Sequence, residues 1–162
     1  MKAQSKQFPS VGRYDSQYMA VPINIVESVK DDETIYEYDM MLIAAEENPG
    51  VRECLKQAIK QYHADIIAAG YLTSMGFLVD IEQSNIVDWS AALQLLQLSG
   101  ATETEVCDYD NQTHVLTVEQ YTQMCGEMGL YLTGLRSKKW AIRNAIDAAE
   151  SELAAYGVAV WS

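Results

Sequence analysis

Two histidines and three cysteines are the residues of this chain best suited to acid–base, nucleophilic or metal chemistry. His63 has no second histidine at the His-x-x-x-His spacing of a helical zinc site. Cys107 and His114 flank a turn centred on Asp110 and Asn111, and such a turn could bring thiol and imidazole together as a dyad. A surface position in a strand is the stronger interpretation of His114. We therefore predict no catalytic residue, no cofactor and no metal, and a protein that is not an enzyme.

The acidic run around Asp108 and Asp110 is similar to the start of a calcium-binding loop. Counted from Asp108, Thr113 occupies the sixth position, where such a loop needs glycine, although Glu119 fits the twelfth. Asp and Asn also favour tight turns, because their short side chains hydrogen-bond the local backbone. The run therefore predicts the turn of a β-hairpin rather than a metal site.

Composition limits the class of protein and its partners. The 162 residues are 49% hydrophobic and 21% charged, which is typical of a folded chain with one domain, or one domain plus an appendage. A net charge of −12 argues against a nucleic-acid partner, because phosphate binding needs clustered Lys and Arg. No apolar run reaches the roughly 20 residues that cross a bilayer, so we expect no membrane partner. The odd cysteine count and the polar first ten residues favour folding in a cytoplasm.

The first part of the chain, residues 1–48, is predicted to be a docking module. Residues 1–17 are polar and favour an extended arm. Residues 18–29 alternate apolar and polar side chains as a strand does, and Pro22 within them places that strand, or its start, at a sheet edge. Residues 34–44 are predicted to be the returning strand of a β-hairpin.

The second part, residues 49–162, is predicted to be an α+β domain. Asn48 is the expected N-cap of its first helix, Pro49 the first helical residue, and Gly70 the stop. An extended segment is then expected at residues 71–81 and a second helix at residues 86–98. A hairpin follows, with its strands at residues 103–109 and 113–116.

The last helix is predicted from the capping box formed by Thr117 and Gln120. It could continue to about Tyr156, which is roughly 58 Å at about 1.5 Å per residue. Three glycines between residues 126 and 134 favour a break. Apolar side chains recur at intervals of seven, which indicates either an oligomeric coiled coil or packing on the chain's own hairpins. The candidate seam consists of Tyr121, Met128, Leu135 and Ile142.

Tyrosines concentrate in the first part of the chain, and tyrosine is well suited to protein interfaces. They indicate either a docking surface or ordinary half-buried sheet positions, and both interpretations remain open at this point. The candidate docking residues are Tyr14, Tyr18, Tyr36 and Tyr38.

Several short motifs follow one another from residue 50 to about 155. They are an Ala-Ala-Gly ending at Gly70, Gly76-Phe77-Leu78-Val79-Asp80, Trp89-Ser90-Ala91-Ala92-Leu93, Asp110-Asn111-Gln112-Thr113 and Ala145-Ile146-Asp147-Ala148-Ala149. Their order resembles the phage and prophage proteins of the DUF4376 family, which are often encoded beside tail-fibre genes. The aromatic residue that this family has before the turn is replaced here by Val106 and Cys107.

The resemblance implies a tailed-phage structural or tail-assembly component, and the family offers no catalytic residues to carry over. We therefore predict an α+β fold, with an N-terminal β-hairpin arm followed by a small helix–β-hairpin–long-helix domain. The expected function is a non-enzymatic adaptor in the baseplate or tail-fibre region. Its partners would be other tail, baseplate or fibre proteins, with a homo-oligomer as an additional expectation.

The alternative is a tail-fibre assembly chaperone that is absent from the mature virion. For the adaptor we expect a location in the virion tail, and in the host cytoplasm during assembly. We also expect that removing residues 1–45 leaves a folded domain that no longer joins the particle.

Overall fold

The α+β prediction is confirmed by a computed structural model, which describes residues 1–45, 47 and 49–161. An N-terminal antiparallel sheet precedes a mixture of helices and short strands, and the longest helix lies near the C-terminus. The strands are β1 (Lys2–Ser5), β2 (Gly12–Arg13), β3 (Tyr18–Lys30), β4 (Glu33–Ala44), β5 (Tyr71–Leu72), β6 (Leu78–Val79), β7 (Glu103–Cys107) and β8 (Thr113–Thr117), and the helices are α1 (Val51–Ala68), α2 (Gln83–Ser99), α3 (Val118–Ala148) and α4 (Glu152–Val158).

Two compact units make up the chain. Unit 1 contains Met1–His63 and Ser137–Ser162, and unit 2 contains Ala64–Arg136. This division differs from the predicted boundary between residues 48 and 49, because α1 and α3 each contribute residues to both units.

The start of α1 differs from the prediction. The predicted cap, Asn48, lies outside the described residues. Pro49 was expected to be the first helical residue, but the helix begins at Val51. The carbonyl of Gly50 accepts the hydrogen bond from the Cys54 amide at 3.0 Å, so the first helical turn forms after the proline.

Unit 1 contains a four-stranded antiparallel sheet in the order β1-β4-β3-β2. The β3–β4 hairpin turns at Asp31 and Asp32, whose φ angles of 52° and 63° give a turn that matches the twist of the two strands. The predicted extended arm, residues 1–17, contributes two short strands to this sheet, because β1 pairs with β4 and β2 pairs with β3. Pro22 lies opposite Met40 of β4, whose amide donates to the Met1 carbonyl rather than to β3. Because β2 pairs only with Met19 and Ala20, the missing N–H of Pro22 leaves no ladder bond unmade on that side either.

The core of unit 1 joins the sheet to helices. Val21 and Ile23 of β3 are fully buried with Leu55 and Ile59 of α1 and with Ile146 of α3. The structure argues against the expectation that the chain folds without residues 1–45, because Val21 and Ile23 belong to this core. Removal of residues 1–45 would strip β3 and β4 from this core and expose the apolar faces of the helices.

Unit 2 contains the β5–β6 and β7–β8 hairpins, α2 and the first part of α3. Its core is built from residues of all these elements: Phe77, Val79, Ile81, Val106, Leu116, Tyr121, Met124, Met128 and Leu132, with Ile86 and Trp89 of α2 packed against them.

The capping box that begins α3 is confirmed. The Thr117 hydroxyl accepts a hydrogen bond from the Gln120 amide at 3.2 Å, and the Gln120 side chain accepts one from the Thr117 amide at 2.9 Å. The helix runs without interruption through its three glycines, which are exposed and have open space around them.

The predicted continuation of this helix to Tyr156 is wrong. Helix α3 ends at Ala148, and Ser151 caps α4 by accepting the Ala154 amide at 3.1 Å. The guanidinium of Arg52 donates to the carbonyls of Asp147 at 3.2 Å and Ala149 at 2.5 Å. These bonds satisfy carbonyls that a helix end leaves without a partner.

Candidate interaction surface

The four candidate docking tyrosines occupy two different environments. Tyr14 is 64% exposed and Tyr18 is 39% exposed, on either side of the loop between β2 and β3. Tyr36 and Tyr38 are half-buried in β4, at positions paired with Ser5 and Ala3 of β1. The structure therefore places one pair of tyrosines on the surface and the other pair within the sheet.

The loop that carries the exposed pair, residues 14–18, is called the tyrosine loop below. The Asp15 carboxylate accepts hydrogen bonds from the amides of Gln17 at 2.7 Å and Tyr18 at 2.8 Å. The carbonyl of Tyr18 in turn accepts the Tyr14 amide at 3.0 Å. An aspartate that bonds backbone two and three residues later forms a local turn. The loop therefore has a defined conformation that holds both rings outward.

Contacts with the end of β4 fix the same loop from the other side. The Ala45 amide donates to the Gln17 carbonyl at 2.9 Å, and the Arg13 guanidinium donates to the Ala45 carbonyl at 2.6 Å. A groove of about 390 Å³ opens beside Tyr18. Its lining combines one aromatic ring with small and polar groups from Ser16, Gln17, Ala44 and Ala45.

Tyr36 belongs to an internal aromatic cluster. The Phe8 ring lies edge-on to Tyr36 with a centroid distance of 5.4 Å, and edge-on to Tyr156 at 5.6 Å. The Tyr156 hydroxyl accepts the Val11 amide at 2.7 Å, and burial raises the pKa of this phenol. These contacts give Tyr36 a structural environment in which the chain itself covers part of the ring.

The candidate seam of α3 is buried within the chain. Tyr121 and Met128 belong to the core of unit 2, and Ile142 belongs to the core of unit 1. Leu135, which lies between Met128 and Ile142 in the sequence, is also buried. The Tyr121 hydroxyl donates to the Trp89 carbonyl at 3.1 Å, and burial raises the pKa of Tyr121 to about 12. This placement is what packing on the chain's own elements requires, and an oligomeric seam stays a prediction.

The approach of Cys107 to His114 that the turn could have allowed does not occur. In the β7–β8 hairpin, His114 pairs with Val106, whereas Cys107 pairs with Thr113. Neighbouring rows of a hairpin point to opposite faces, so the thiol and the imidazole lie on opposite sides. His114 instead contacts Asp108, with 2.7 Å between Nε2 and Oδ2.

Two further contacts explain why this His–Asp pair is structural. The His114 ring stacks on Phe77 with 4.1 Å between centroids. The second oxygen of Asp108 accepts the amides of Asp110 at 2.9 Å and Gln112 at 2.8 Å. Asp108 therefore links the hairpin turn to the imidazole. Sequence reasoning missed this pair, although an aspartate just before a turn is a recognised signal for such bonds.

Asp108 is also the first residue of the run that was compared with a calcium-binding loop. Both oxygens of Asp108 are already engaged by His114 and by backbone amides. Across residues 1–45, 47 and 49–161, no group of three or more His, Cys, Asp or Glu side chains is arranged to hold a metal ion.

Asp108 makes a testable contribution to acid stability. Its bond to His114 and its bonds from the Gln112 and Asp110 amides hold the pKa of this carboxyl below its usual range. Because this pKa is lower in the folded state, the ionised Asp108 stabilises the protein at pH values above the ordinary aspartate pKa of about 3.9. This stabilisation is lost as the pH falls through the lowered pKa of the folded state. We expect Asp108→Asn to be destabilised at pH 7, with the difference from the parent shrinking as pH falls below about 4.

Urea unfolding between pH 7 and pH 2.5 measures this difference. Asp110→Asn is the matched control, because the network uses Asp110 through its backbone amide. A constant difference between Asp108→Asn and the parent over the whole range would contradict the assignment.

Comparison with known proteins adds one match. The family model described as a domain of unknown function (DUF4376) matches residues 50–159, which is more than half of the chain. Among curated proteins and solved structures, none matches. Within the described part of the chain, no helix combines the length and apolar character that a membrane crossing requires.

Proposed function

The chain belongs to the DUF4376 family, and from this premise we propose that it is a non-enzymatic structural adaptor of a bacteriophage tail. It acts in the baseplate or tail-fibre region and docks through protein–protein contacts. The tail setting rests on the resemblance described above. The docking role is supported by one observation above the others, which is the ordered tyrosine loop with two outward-facing rings.

An ordered loop binds a partner at a lower entropic cost than a disordered one. The Asp15 turn and the bonds to Ala45 already fix the backbone of residues 14–18. Tyrosine has few rotatable bonds and presents a large ring with a polar end, so it gains contact area with little further ordering. A tyrosine at the centre of an interface commonly contributes about 2 kcal/mol or more, which corresponds to about 30-fold in affinity.

The surface charge restricts the chemistry of the partner. With a net charge of −12, this chain repels acidic proteins and attracts basic ones at long range. The proposed partner is therefore a tail, baseplate or fibre protein with a neutral or basic docking face. Its contact with the tyrosine loop would supply an apolar pocket and a hydrogen-bonding group for a phenol.

Quantitative mass spectrometry of washed phage particles tests the location. A fixed ratio of this chain to a tail, baseplate or fibre protein is expected. Presence in the infected-cell lysate together with absence from particles would replace the adaptor with the assembly chaperone. In the adaptor role the protein is located in the virion tail, and in the host cytoplasm before assembly.

The docking surface is tested by substitution rather than by truncation, because residues 1–45 contribute to the core of unit 1. We expect the double variant Tyr14→Ala and Tyr18→Ala to fold normally and to be at least 10-fold depleted from particles. Trp140→Ala is the control, since that ring is also exposed but lies outside the loop. Normal occupancy of the double variant would remove the tyrosine loop from the proposal.

A further inference from the structure

Helix α2 is unusual because it is apolar on two sides and almost uncharged. Its sequence from Gln83 to Ser99 contains a single charged residue, Asp88. The inner side packs against the core of unit 2 through Ile86, Trp89, Ala92, Leu93 and Leu96, all of them half-buried. None of its residues, all of which the structure describes, is fully buried.

The opposite side carries a second apolar row, called the outer stripe below: Val87, Ala91, Leu95 and Leu98. Val87 is 57% exposed, Leu95 is 67% exposed and Leu98 is 85% exposed, and Ala91 is exposed between them. At 3.6 residues per turn these positions fall within about 80° of one another around the helix. A helix that is apolar on both sides is typically covered on both sides.

We propose that the outer stripe is a homodimer interface, in which α2 packs antiparallel against α2 of a second copy. Three residues of the stripe, Val87, Ala91 and Leu95, are arranged symmetrically about Ala91. Val87 lies four residues before Ala91 and Leu95 four after, so an antiparallel pair centred there places each valine against the leucine of the other copy. In the same register Ser84 and Leu98, seven residues on either side, face one another. The small alanine at the crossing point allows the two helices to approach closely.

Charge favours a second copy as the occupant. Asp88 lies three residues before Ala91 and Gln94 three after, on opposite flanks of the outer stripe, so the pairing brings no charged side chain of α2 directly opposite the carboxylate. The two aspartates are kept apart, at about 9 Å along the helix axis. A chain with a net charge of −12 repels its own copies elsewhere, and an uncharged stripe is where that repulsion costs least. Salt should therefore strengthen the dimer by screening the repulsion, whereas it would weaken binding to a basic partner.

Sedimentation velocity of the full chain over a wide concentration range tests the dimer. We expect the sedimenting mass to rise with protein concentration from 18.1 kDa to twice that value. Adding salt should lower the dissociation constant of the dimer. Leu95→Glu should weaken association at least 10-fold. Leu130→Glu is the matched control, because Leu130 is a 78% exposed helical leucine on α3 and should leave association unchanged.

Paired charges test the register. Val87→Lys and Leu95→Glu should each be monomeric alone, because each homodimer would hold two charges against apolar side chains. A mixture of the two should dimerise again, since it contains one lysine–glutamate pair and one unchanged leucine–valine pair. A monomer at every concentration, equal losses for Leu95→Glu and Leu130→Glu, or no recovery in the mixture would overturn the proposal.

Discussion

Replacing Ile59 with alanine is expected to lower the free energy of unfolding by about 2–5 kcal/mol. Ile59 is fully buried in α1, and its cluster includes residues of β3, β4, α3 and α4. The substitution removes apolar contacts and leaves a cavity that the surrounding elements can close only in part. Because native domains are stable by only about 5–15 kcal/mol, this loss is a large share of the total.

Urea unfolding followed by far-ultraviolet circular dichroism measures the change. Lys60→Ala is the matched control, because Lys60 is the next residue of the same helix and is exposed. We expect the control to lie within about 0.5 kcal/mol of the parent. Equal stability of the Ile59 variant and the control would contradict the packing described for unit 1.

Replacing Met128 with alanine is the second large effect. Met128 is buried in the core of unit 2 beside Met124 and Leu132, although its spacing along α3 also fits an oligomeric seam. We expect a loss of about 2–5 kcal/mol that does not depend on protein concentration, because the contacts removed lie within one chain. Leu130→Ala, at an exposed position of the same helix, should cost little.

Concentration separates the two interpretations of the seam. The measurement is made in the Leu95→Glu background, so that association through the outer stripe of α2 does not contribute. In this background, the unfolding midpoint of the parent could still rise with protein concentration, and Met128→Ala could abolish that rise. These two results together would identify the seam as an interface between chains.

Local signals predicted several elements correctly. Thr117 and Gln120 form the capping box because both partners lie within one helical turn. The turn at Asp110 and Asn111 forms where expected, and Asn111 has the positive φ of 61° that asparagine tolerates better than most residues. In α1, Leu55 and Ile59 lie four residues apart, which is the spacing of one helix face, and both are buried in the core of unit 1.

Errors arose where a distant segment decided the outcome. The first residues were predicted to be an extended arm without a stated partner, but β1 pairs with a strand more than 30 residues away, and its own pattern does not reveal that partner. The end of α3 depends on Arg52, which contacts carbonyls about 95 residues further along the chain.

The sequence by itself determined the α+β class, the capped start of α3, the main hairpin turn and the apolar face of α1, because spacing and local hydrogen bonds specify these features. Only the tertiary structure decided which tyrosines are exposed and which side chains of α3 are buried. It also decided that α2 keeps a second apolar face uncovered by its own chain. Exposure depends on strand order, register and packing between distant segments, and those long-range contacts are not encoded in any single stretch of sequence.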